Sequence, residues 1–190
     1  MTNQIIAELK NKLLAYKKVD KFSIKPGIYA IGYNSEQFPL FSAKDMIKKG
    51  TIIYIGKTES SQEKRDEKTH FCNGGTKSST LRRSLGAILR EELKLIPIPR
   101  SYTEKSEKRF TNFCFDEPGE KLLTNWMKVN LSLSFWEFDG SIDEIETIEK
   151  DIIQKLVPIL NLKNNRSNPW SKEIKILRKI CVDLAKQNRI

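Results

Sequence analysis

What most restricts the fold of this chain is a pair of short β-prone segments, GIYAIGY at 27–33 and TIIYIG at 51–56, introduced by Pro26-Gly27 and joined by a polar connection. Runs this short, rich in β-branched and aromatic residues, predict strands, and two neighbouring ones predict a hairpin. A third strand is expected at 131–138 (LSLSFWEF), and RFTNFCF at 109–115 alternates as a half-buried strand would.

Helical periodicity surrounds these strands. Ile5, Ile6, Leu9, Leu13 and Leu14 mark an amphipathic helix over 3–17, with Thr2 or Asn3 as its cap. Residues 59–71 are charged and broadly helical. Residues 78–93 have Ser78 and Ser79 as caps and Leu81, Leu85, Ile88 and Leu89 on one face, and Pro97 and Pro99 follow. Further helices are expected near 117–130, at 143–156 with Ile145, Ile148, Ile152 and Leu156 inward, and at 171–187 after an Asn-rich turn. The expected class is α/β or α+β: a small, mainly antiparallel central sheet flanked by helices, with extra N- and C-terminal helices.

The 190 residues fit a single domain, and no apolar run reaches the roughly 18–20 residues a membrane span requires. No signal peptide is recognisable, so the cytoplasm is the expected location and no membrane association is expected. Cys72, Cys114 and Cys181 are odd in number and widely spaced, which suggests neither a disulfide framework nor a structural zinc site.

Charge is unevenly distributed. The chain carries a net +10. Residues 61–110 hold twelve basic and seven acidic residues, and 162–190 hold eight and two. The stretch 116–151 reverses the sign, with ten acidic residues against three Lys. A basic surface around a concentrated acidic region suits a protein that holds phosphates and a divalent cation, although solubility alone also produces such surfaces.

Gly27-Ile28-Tyr29 and Tyr54-Ile55-Gly56 sit on the two adjacent predicted strands. Arg65 follows Gly56 by nine residues, His70 follows five residues later, and Glu149 precedes Asn161 by twelve on a helix broken at Pro158. In order and spacing these elements resemble the GIY-YIG nuclease superfamily, over residues 25–162. Residues 1–20 would then be an added N-terminal helix and 163–190 a basic C-terminal helical extension. Gly56-Lys57-Thr58 superficially resembles the end of a phosphate-binding P-loop, but Thr51 stands where its first glycine is needed and IIYI reads as strand.

The resemblance implies metal-dependent endonucleolytic hydrolysis of DNA, double-stranded rather than single-stranded, with one Mg²⁺ or Mn²⁺ per site held by Glu149. Tyr29 would act as general base or relay and Tyr54 would orient water or a phosphate oxygen. Arg65 would clamp the scissile phosphate if one residue is inserted in ESSQEKR, with Arg82 or Arg83 as the alternative. His70 would replace a tyrosine as base, or be a satisfied structural histidine. Asn161 would hold the metal helix or contact phosphate. Lys57, Lys77, Arg82 and Arg83 are candidate phosphate or DNA contacts, and Trp170 with the basic C-terminal stretch would help grip the duplex. A homodimer is one way to cut both strands. The alternative is a catalytically silent nucleic-acid-binding or assembly protein on the same scaffold.

Overall fold

The structure, a computed structural model, describes residues 1–188. The side chains of 66–68, within the charged segment, and residues 189 and 190, which end the basic extension, lie outside the described residues. The chain forms strands β1 (Leu14–Ala15), β2 (Gly27–Tyr33), β3 (Ile52–Thr58), β4 (Pro97–Ile98), β5 (Cys114–Phe115) and β6 (Leu131–Glu137). Its helices are α1 (Thr2–Asn11), α2 (Thr80–Leu89), α3 (Lys108–Thr111), α4 (Glu117–Asn130), α5 (Ile142–Leu156) and α6 (Ser171–Gln187).

The main sheet runs β1-β6-β2-β3 with every pairing antiparallel, so the fold is the expected α+β arrangement. β2 is interior and wholly buried, while β3 is an edge strand. Successive residues of a strand face opposite ways. Tyr29, Ile31 and Tyr33 therefore enter a large core with Leu81, Leu85 and Leu89 of α2, Leu123 and Met127 of α4 and Ile174, Cys181 and Ala185 of α6. Ile28 and Ala30 enter a smaller core with Ile5 and Leu9 of α1 and Ile145, Ile148 and Ile152 of α5. Burying each large apolar side chain contributes roughly 1.5–3 kcal/mol, so both layers hold the sheet in place.

The β2–β3 register shifts between Ile31 and Gly32, where Ile31 faces Tyr54 but Gly32 faces Ile52. The extra residue, Ile53, is a bulge, and it turns both Ile53 and Tyr54 into the large core. Tyr54 thereby shares a face with Tyr29.

Three expected elements are corrected. Only Cys114–Phe115 of the predicted 109–115 strand is extended, pairing with Pro97–Ile98, while Lys108–Thr111 is a helical turn. Phe110 and Phe113, both buried, are three residues apart, which puts them on one face of a helical turn but on opposite faces of a strand. The N-terminal helix stops at Asn11 rather than Lys17, because Leu14 and Ala15 pair with Leu133 and Ser132 of β6. Backbone pairing there overrides the periodicity that Leu13 and Leu14 continue. The predicted 78–93 helix is confined to Thr80–Leu89, and Lys94 closes the following turn at φ 52°. Among the described residues no helix is long and apolar enough to cross a membrane.

Candidate active site

Register brings the two tripeptides together. Tyr29 on β2 lies directly opposite Gly56 on β3, and a Cβ on Gly56 would stand 2.3 Å from the Tyr29 hydroxyl oxygen. Only glycine lets the phenol lie across the edge strand. The Tyr29 and Tyr54 rings are 6.2 Å apart, and both line one cleft with Gly56, Lys57, Thr58, Glu59, Arg65 and Glu149.

The segment Glu63–His70 is wound as a π-helix. Arg65 and His70, five residues apart, would point away from each other on an α-helix, whereas the wider winding brings both to the same hydroxyl. Arg65 Nε donates to Tyr29 Oη at 3.2 Å, and His70 Nε2 lies 2.8 Å from that oxygen.

His70 is fully buried, and its other ring nitrogen, Nδ1, lies 2.7 Å from Ser79 Oγ. Burial, reinforced by the Arg65 and Arg82 guanidinium groups, holds its pKa well below the ordinary histidine range, so the ring is neutral. Ser79 caps α2 by accepting from Arg82 N at 3.0 Å, which leaves the serine proton free to go to His70 Nδ1. In that tautomer Nε2–H donates to Tyr29, whose oxygen then takes donors from both His70 and Arg65. Burial raises the Tyr54 pKa, with Arg65 opposing the shift, so Tyr54 stays a neutral phenol beside them.

The opposite wall is built on the exposed edge of β3. Asn161 pairs with Ile55 twice: Ile55 N donates to its Oδ1 and its Nδ2 donates to Ile55 O, each at 2.8 Å. Leu160 N adds a bond to Ile53 O at 2.9 Å. Two residues on, the Lys57 backbone amide lies near the Glu149 carboxylate and favours its charged form. Outward N–H groups recur at alternate residues of an edge strand, so Asn161 caps one of them and Glu149 stands by the next. Their separation in sequence is the length of chain needed to leave α5, turn at Pro158 and reach the neighbouring rung.

Glu149 is half-buried, and desolvation raises its pKa against the opposing pull of the Lys57 ammonium and amide. No ion pair engages it, and no group of three His, Cys, Asp or Glu side chains converges, among the described residues. A lone, partly desolvated carboxylate in an open cleft fits a hard divalent cation completed by water and phosphate oxygens, and does not fit an all-protein cage.

Tyr29, Tyr54, Lys57, Arg65 and Glu149 thus converge, with His70 behind Tyr29 and Asn161 locking the strand. The other basic candidates do not join them. Arg82, expected on a phosphate-contacting face, is 0% exposed and ion-paired with Glu120 at 2.6 Å. It donates also to Thr76 Oγ1, Thr124 Oγ1 and His70 O at 2.8–3.0 Å. With its donors consumed inside, it cannot be the catalytic arginine or a phosphate ligand; it positions His70. Arg83 is 7% exposed and donates to Thr76 O and Lys77 O, so it is no open surface contact either. Lys77 is exposed on the turn before α2, away from the cleft lining. Asn161 is spent on the strand, which excludes a phosphate contact. Sequence reasoning missed Glu120 as the partner of Arg82, and Ser79 was legible only as a helix cap.

A family model described as the GIY-YIG catalytic domain matches residues 27–180. No curated protein and no solved structure matches the chain significantly.

Proposed function

Because the chain belongs to the GIY-YIG catalytic-domain family, a nuclease-type domain acting on nucleic acid, we propose that it is an endonuclease hydrolysing phosphodiester bonds in duplex DNA with one Mg²⁺ or Mn²⁺. The observation carrying this reading is the convergence of the Tyr29 hydroxyl, the Arg65 guanidinium and the half-buried Glu149 carboxylate on one cleft at the edge of β3.

Phosphodiester hydrolysis requires a water relieved of its proton, an in-line approach to phosphorus and neutralisation of charge on the phosphoryl and leaving oxygens. Tyr29 would take the water's proton as its phenolate, having first released its own proton to solvent through the cleft, and the donors from His70 and Arg65 stabilise that phenolate oxygen. Neutral His70 serves this role as a donor anchored by Ser79. Arg65 is at the cleft with a planar fork suited to the scissile phosphate. Lys57 adds positive charge at the mouth, where it also pairs with Glu59 at 2.7 Å. Glu149 would hold the cation, which when bound supplies Lewis-acid stabilisation of the phosphoryl oxygens.

The test is cleavage of supercoiled plasmid and of single-stranded DNA by purified protein with Mg²⁺, Mn²⁺ or EDTA, comparing wild type with Glu149→Ala and Tyr29→Phe. Metal-dependent nicking by wild type and a loss of about 10²–10⁴ in rate for Tyr29→Phe are expected. No cleavage with any metal, together with salt-sensitive DNA binding indifferent to both substitutions, would make the chain a binding scaffold.

A further inference from the structure

Helix α6 packs on α2 through Ile174, Cys181 and Ala185. Arg178 occupies the same stripe, one turn after Ile174 and one before Cys181, and is half-buried. A leucine there would serve packing better. Among the described residues no carboxylate pairs with Arg178 and no hydrogen bond engages its guanidinium. Facing it from α2 is Arg83, whose buried Nε has no partner and whose remaining bonds go to the Thr76 and Lys77 carbonyls and, at 3.3 Å, to Thr80 Oγ1.

Burial lowers the pKa of both arginines, that of Arg83 to about 10, and Arg178 is the largest source of repulsion acting on Arg83. Arg100 and Arg65 add further positive charge acting on Arg83. Two partly desolvated guanidinium groups without an acid are unfavourable for folding alone, and an incoming anion relieves both the repulsion and the missing hydrogen bonds.

We propose that Arg178, backed by Arg83, is a second phosphate subsite that grips a backbone phosphate of the nucleic acid away from the cleft, on the face where α6 packs on α2. The inference rests on the nuclease reading and extends it to how the nucleic acid is held beyond the cleft. An arginine fork matches two phosphate oxygens, a geometry that lysine does not reproduce.

The experiment is fluorescence anisotropy of a labelled duplex in EDTA across a KCl series, with wild type, Arg178→Gln and Arg178→Lys, each checked by thermal melting. Arg178→Gln should weaken binding about tenfold to a hundredfold and flatten the slope of log affinity against log salt by about 0.9, with melting at or above the wild-type temperature. Arg178→Lys should keep the slope and lose part of the affinity, and it carries the test if the glutamine variant does not fold. Unchanged affinity and slope in folded variants would overturn the proposal. So would stabilisation of wild type by inorganic phosphate without any change in the DNA slope, which would indicate a free-anion site. Failure of the nuclease reading is read separately, as absence of wild-type cleavage with Mg²⁺ or Mn²⁺.

Discussion

Two polar constellations lie within a few residues of each other, and they are built on opposite plans. Around Arg82, every strong donor meets an acceptor inside the protein: Glu120, Thr76, Thr124 and the His70 carbonyl. Glu120 also accepts from Phe115 N at 3.1 Å and from Thr76 Oγ1 at 3.0 Å, which ties α4, β5 and the turn before α2 together. Around Tyr29 the hydrogen bonds instead hold a buried hydroxyl against the cleft, and the carboxylate on the far wall is partly stripped of water without gaining an ion pair. Closure marks the first group as structural, and deliberate incompleteness marks the second as chemical. A lone arginine on a helix reveals neither, since Arg82 and Arg65 are equally conspicuous in the sequence.

This contrast breaks if the two carboxylates respond alike. Glu149→Ala should cost about ten-thousandfold in metal-dependent cleavage, the upper end for a single charged group, while leaving thermal stability intact. A parallel loss of melting temperature would move Glu149 to the structural side. Glu120→Ala should do the reverse, costing about 3–5 kcal/mol in urea denaturation because it strands the Arg82 charge in the core. The double replacement Arg82→Met with Glu120→Leu should recover most of that loss, and failure to do so would mean that the network does more than satisfy itself.

The smallest effect sharpens the comparison through pH. Burial raises the Glu149 pKa, so the native state keeps its proton to higher pH than the unfolded chain does. Between the unfolded carboxyl value, about 4.3, and the raised native value the native state binds more protons, and its stability falls as pH rises. Glu149→Gln has no proton to lose. Its melting temperature should match the wild type in acid and exceed it increasingly toward neutral pH. A constant offset would remove desolvation as the cause.

Much of the scaffold was legible because it is written in local patterns. The β2–β3 hairpin, α4, β6, α5 and α6 follow from alternation and helical spacing, and the structure adds a capping box of Ser141 with Glu144 at the start of α5. The misread segments are Leu14–Ala15, where pairing with β6 decides, and Lys108–Thr111, a helical turn where a strand was expected. Of the site, Tyr29, Tyr54, Arg65, His70 and Glu149 were legible as a spaced set, but not their contacts. The π-winding that turns Arg65 and His70 to one hydroxyl has no periodic signature in EKRDEKTH, and the bulge at Ile53 that aims Tyr54 is invisible in TIIYIG. Burial separated Arg82 from Arg65, and burial depends on Glu120, which is distant in sequence.

The edge of β3 has one further consequence. An unpaired strand edge invites another chain to add to it, the first step toward aggregation. Here the β3 edge is already paired by Leu160 and Asn161, and the opposite edge, β1, is only two residues long. The residues that shut the sheet against self-association sit against the strand whose edge carries the cleft residues Gly56, Lys57 and Thr58. Asn161→Ala should therefore aggregate more readily than the wild type, an effect light scattering would read separately from any change in cleavage.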